Sequence, residues 1–145
     1  MKSSPLRTFD YEALKQKLTD HQKVDFAFVF GSAKLGRLHR SDSDIDIAMW
    51  LTPPASFDDQ LELLGLCQNV LQYDHIDFVL LNKASVLLRF EVLSGIPLVI
   101  KDMNFYASFF SETCRYYEDQ MLLFKKNKEI MRFYKNQAKT LKNNI

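Results

Sequence analysis

The stretch that decides the fold is GSAKLGRLHRSDSDID, residues 31–46. It follows the β-prone run VDFAFVF (24–30) and leads into IAMWL (47–51). A small-residue turn therefore lies between two apolar strands, and acids at alternate positions stand at the mouth of the second. Side chains alternate across a strand. Asp44 and Asp46 then share one face, while Ile45 and Ile47 share the other and can enter a core. Asp42-Ser43-Asp44 is a second possible register. Asp44 with Asp46 is preferred because it places both isoleucines inside and leaves Asp42 in the loop.

Working outward, the pattern predicts strands at 24–30, 44–51, 75–81 and 97–101, with Pro53 and Pro54 stopping the second. Phe57, Leu61, Leu64, Cys67 and Leu71 recur at helical spacing behind Ser56, an N-cap with Asp59 three residues on, so a helix is expected at 57–71. A short amphipathic helix is expected at 9–21 and another at 84–93, ended by Ser94 and Gly95. Residues 32–38 can form one or two helical turns. Asn104 can cap a final helical region of about 30 residues or more, which holds nine of the nineteen aromatics. The order predicts an α/β (α+β) domain, a small sheet of four strands flanked by helices.

A chain of 145 residues with 47% apolar residues has room for a real core and lacks the composition of a disordered chain. The net charge of +1 says nothing about partners. Its distribution says more, because residues 125–142 hold seven bases and one acid. No run of about 18 apolar residues exists to span a membrane, and MKSSPLRTFDYEALK lacks the apolar centre of a signal peptide. Cys67 and Cys114, each in a helical pattern, read as reduced thiols. These features point to a cytoplasmic protein.

The chemistry follows from three acids and one turn. Close carboxylates repel, and desolvating either is costly. A solvated strand end would explain Asp44 and Asp46 alone. Asp77 changes the balance, because it sits in HIDFVLL among Ile76, Phe78, Val79, Leu80 and Leu81. If that strand pairs with the Asp44–Asp46 strand, three carboxylates converge. Hard oxygen donors without histidine or thiolate suit Mg²⁺ or Mn²⁺ rather than zinc. Gly31 lets the backbone approach a ligand closely. Amides opening a helical turn attract anions, and the Ser32 hydroxyl can bond a phosphate oxygen. His21, His39 and His75 read as non-catalytic.

With these residues in order, the chain resembles the nucleotidyltransferases related to DNA polymerase β, whose signature is Gly-Ser, a spacer, Asp-x-Asp and a third carboxylate on a later strand. Here these are Gly31, Ser32, Asp44, Asp46 and Asp77. FGSAKLG and SDIDIA resemble the small branch, the minimal nucleotidyltransferases or MNT domains. LLRFEVLSGIPLVIKD resembles the segment after the third acid in MNT antitoxins. The spacer is one residue longer than in many relatives and Lys34 comes one position early, so Lys34, Arg37 and Arg40 all remain candidates for the phosphate-facing cation. The resemblance implies a nucleotidyltransferase fold over a single domain at 1–145, with a core at 9–101 and a tail at 104–145. It implies Mg²⁺ (or Mn²⁺) on Asp44, Asp46 and Asp77, and ATP as donor with its phosphates at Gly31 and Ser32.

A bare catalytic module resembles the antitoxin of HEPN/MNT toxin–antitoxin pairs. That implies AMP transfer to a tyrosine of a HEPN ribonuclease. A free-standing transferase acting on a small hydroxyl compound or RNA end, and an antitoxin acting only by binding, are the alternatives. In the tail, Phe105, Phe109, Tyr116, Tyr117, Phe124, Phe133 and Tyr134 exceed what one helix face needs to close a small core. About two-thirds are expected to be core, and the remainder could dock a helical partner. The lysine run could meet an acidic partner or nucleic acid, or be a solvated helix end.

Overall fold

The computed structural model describes residues 7–38 and 40–143, so the expectation for His39 lies outside the described residues. The order is α1 (Glu12–Asp20), β1 (Val24–Phe30), β2 (Ile45–Leu51), α2 (Phe57–Leu71), β3 (Ile76–Leu80), α3 (Val86–Leu93), β4 (Ile96–Ile100) and α4 (Met103–Asn143). The four strands form one mixed sheet in the order β3-β2-β1-β4. β1 runs antiparallel to β2 and β4, while β2 and β3 are parallel.

Alternation in the central strands divides the core in two. Ala27 and Val29 of β1 and Ile45, Ile47, Met49 and Leu51 of β2 face α1 and α2, where Leu14, Leu18, Leu63 and Cys67 are fully buried. Phe26, Phe28 and Phe30 face the other way, onto Val92 of α3 and Phe109 of α4. The Phe26 ring lies within 6.4 Å of the ring centroids of Phe28, Trp50, Phe105, Tyr106 and Phe109. Asp46 belongs to this second face, where it is the charged member of an otherwise apolar row with Ala48 and Trp50.

Local chemistry fixes the ends. Ser56 and Asp59 form a reciprocal capping box at the start of α2. Arg7 donates to the Leu71 and Gln72 carbonyls, closing the far end of α2 while its guanidinium stacks on Phe9. Asn82 pairs with both the N–H and the carbonyl of Leu51, ending β2.

Four expectations are adjusted. The helical turn after Gly31 is a single 3-10 turn, Gly31–Ala33, because Gly36 takes a left-handed φ of 85° and turns the chain back. Asp44 lies just before β2 rather than within it. The last helix is capped by Asp102, whose Oδ1 accepts from Asn104 and Phe105 amides, and not by Asn104. Of the seven tail aromatics singled out, Phe109 is buried and Tyr117 half-buried, while the others are exposed. The reason is length: α4 runs for 41 residues, far past the body it packs on.

Phe26 is 1% exposed at the centre of the aromatic cluster. Phe26→Ala should cost about 3–5 kcal/mol, read as a shift of the denaturation midpoint at unchanged slope.

Candidate active site

β1 and β2 pair so that Phe30 stands opposite Asp46. Gly31, the next residue, therefore arrives beside the Asp46 side chain. Its φ is 73°, and a Cβ placed on it would lie 2.1 Å from Asp46 Oδ2. Glycine is required here for both backbone conformation and space. The turn is held from behind by Tyr11, whose hydroxyl donates to the Ala33 carbonyl at 2.7 Å. Gly36 is pinned by its carbonyl, which accepts from the Phe9 amide at 2.7 Å. Ser32 is left exposed at the turn.

The parallel pairing of β2 and β3 sets Asp46 directly across from Asp77. Asp44 enters from the loop before β2, steadied by the Tyr73 hydroxyl, which donates to the Ser43 carbonyl. The expected acids are thus brought to one strand end, with Asp46 innermost and Asp44 and Asp77 exposed. Burial pushes the Asp46 carboxyl up to about 6, and the charges of Asp77, Asp44 and Glu91 push the same way. Asp77 is also close enough to share a hydrogen bond with it. Burial, reinforced by Asp44 and Asp42, likewise raises the Tyr73 hydroxyl.

Glu91, Tyr11 and Tyr73 were not read from the sequence. Glu91 is a fourth carboxylate whose field reaches Asp46, carried in by α3, and nothing in its local pattern announces it. Lys34 turns toward the end of α3, where its Nζ donates to the Ser94 carbonyl at 3.3 Å. Arg37 forms an antiparallel bridge with Thr8.

The donor set fits a hard divalent cation: carboxylate oxygens, and no imidazole or thiol among the groups that act on Asp46. Among the described residues no three such side chains already close on one point, an arrangement consistent with their mutual repulsion. Ser32, Asp44 and Asp77 are open to solvent. A cleft of about 720 Å³ beside Tyr73, lined by Ser41, Gln68, Gln72 and His75, includes none of these acids.

Residues 12–104 match the family model described as polymerase beta, nucleotidyltransferase. The chain belongs to this nucleotidyltransferase family. Among curated protein sequences none matches it. Among solved structures, a toxin–antitoxin structure, MntA–HpeT, with two Asp-to-Glu substitutions at alternate positions, is 27% identical with a TM-score of 0.63. A toxin–antitoxin structure with AMP-PNP is 28% identical with a TM-score of 0.61. Each match covers 75% of this chain and 88% of the other. The tri-AMPylated HEPN toxin in complex with MNT antitoxin from Shewanella oneidensis, at 24% identity and a TM-score of 0.57 over 75% of this chain and 85% of that one, shares the fold. The nucleotidyltransferase fold expected from the resemblance is thereby borne out.

Two predictions follow from the crowding of Asp46. The folded chain holds a proton there more tightly than the unfolded chain, so between about pH 4 and 6 its stability falls as pH rises. Asp46→Asn should flatten the melting-temperature curve across that window and melt higher than the wild type at pH 7 without divalent cations. Gly31→Ala should lose about 1–2 kcal/mol from backbone strain alone and lose nucleotidyl transfer, because its methyl group displaces the Asp46 carboxylate. Thermal melts and a transfer assay on the same preparations check both effects.

Proposed function

We propose that the chain is a Mg²⁺-dependent adenylyltransferase that moves AMP from ATP to a tyrosine of a HEPN toxin, acting as its antitoxin. The observation that carries this reading is the direct apposition of Gly31, Asp46 and Asp77. A phosphate-approach turn and a pair of repelling carboxylates meet at one point of an open surface. The solved relatives with AMP-PNP and with an AMPylated HEPN toxin support the donor and the acceptor.

In this reading Gly31 and Ser32 receive the β- and γ-phosphates, the glycine by allowing backbone approach and the serine by its hydroxyl. Asp44 and Asp46 supply oxygen ligands for divalent cations, and Asp77 adds the third. A divalent cation held by these carboxylates would supply charge neutralisation at the phosphates and favour in-line displacement of pyrophosphate. Asp77, the more exposed member of the facing pair, is placed to orient an incoming hydroxyl and draw its proton. No protein nucleophile is needed, so the residues act by positioning and charge. The open site suits a tyrosine presented on a protein surface. Chain positions 1–145 then act as one domain, the core at 9–101 and the tail at 104–145.

The test uses a HEPN toxin as the acceptor, Mg²⁺ and ATP labelled at the α-phosphate. Wild type should place label on a HEPN tyrosine. Asp44→Asn and Asp46→Asn should reduce that label by about 10²–10³-fold while retaining the fold. Asp77→Asn should do the same without lowering the melting temperature, since its charge opposes that of Asp46. A tight complex without label would overturn transfer in favour of binding alone. Label on an RNA end or a small hydroxyl compound instead would overturn the protein acceptor.

A further inference from the structure

The helix α4 is packed over its first turns only. Phe109 and Thr113 are buried, and the Tyr117 ring lies flat on Phe90 of α3 with centroids 3.7 Å apart. From residue 118 to residue 143 every side chain is exposed. At 1.5 Å per residue that overhang is about 39 Å long. The family match ends at residue 104, so it includes none of the overhang.

The overhang is not uniformly polar. Phe109 and Thr113 begin a 4-then-3 spacing that continues in register through Tyr116, Leu123, Ile130, Tyr134 and Leu141. Gln120, Asn127 and Gln137 fill the remaining positions. None carries a charge, although residues 125–142 contain seven bases. The adjoining row of Phe124, Met131 and Ala138 is uncharged as well. A 3.5-residue repeat keeps such positions on one side of a helix that winds against another helix. Leu123, Tyr134 and Leu141 are 61%, 61% and 68% exposed. A solitary helix gains nothing from this stripe, because helices in water derive most of their stability from packing an apolar face.

We propose that this stripe is a docking surface for a helical protein partner whose own apolar face is bordered by carboxylates. Charge selects that occupant. The overhang holds seven Lys and Arg against Glu118, Asp119 and Glu129, so a second copy would bring like charge against like charge. An acidic partner meets it with opposite charge, which speeds encounter and fixes register. The inference rests on the reading that this chain acts on a protein, and it adds the surface by which that protein is held while its tyrosine reaches the acids.

The test compares the full chain with two variants at exposed positions, using the same HEPN toxin as the probe. One variant carries Leu123→Glu, Ile130→Glu and Tyr134→Glu, and the other carries Lys125→Glu, Lys128→Glu and Lys135→Glu. Each should weaken the complex at least about 10-fold at an unchanged melting temperature of the globular body, and added salt should weaken the wild-type complex. Unchanged affinity in both variants, with label still reaching a tyrosine, would overturn the docking surface and leave the transfer reading intact. No complex with wild type would overturn both. Dimers of the wild-type chain alone that the first variant dissociates, or RNA binding that the lysine variant abolishes without affecting the complex, would overturn the assigned occupant.

Discussion

The structure turns on the contact between Gly31 and the Asp46 carboxylate. Phe30 and Asp46 are paired across β1 and β2, so the chain leaving β1 must pass directly over an acid. Only a residue without a Cβ passes there, and only one that tolerates a φ of 73° makes the turn. The supports around the turn serve that passage: Tyr11 holds Ala33 from below and Phe9 holds Gly36 at its exit. The two halves of the sequence signature are thus not merely near each other. They are fitted together, and the glycine turn is built onto the most hindered carboxylate of the group.

That fit has an electrostatic consequence. Asp46 is partly withdrawn from water while three other acids act on it, so its proton is held to about pH 6. A structure selected for stability alone would place an alanine or serine there, in line with Ala48. Holding repelling carboxylates on a core strand stores unfavourable energy, in keeping with the tendency of perturbed acids to mark functional sites.

Much of this was legible in the sequence because it depends on short-range periodicity. The β-prone run VDFAFVF marked β1, the alternation of Asp46 with Ile45 and Ile47 set the faces at the mouth of β2, and Ser56 with Asp59 marked the start of α2 to the residue. Asp77 was legible because an acid in an apolar strand needs a reason, and its pairing with Asp46 supplies one. What the sequence concealed depends on tertiary return. Glu91 reaches Asp46 only because α3 folds back over the sheet, and Tyr11 meets Ala33 across 22 positions of chain. The start of α4 failed for a smaller reason: Asp102 and Asn104 are both good caps, and side-chain geometry rather than residue type decides between them.

The tail aromatics were misjudged for the opposite reason. Composition counts apolar residues but does not say how much body there is to cover them. The face of the sheet that α4 meets is closed by Phe109 and Tyr106 together with α3. Residues beyond Tyr117 therefore carry their aromatic and aliphatic side chains into water. Core closure would need those residues to end near the sheet edge, whereas the uncharged register instead persists to Leu141. A sequence drifting without constraint would let lysine into that stripe, as it does at 125, 126, 128, 135, 139 and 142 of the same helix. The catalytic body and the overhang thus answer two separate demands, the first for a crowded acid beside a glycine and the second for a long face kept free of charge.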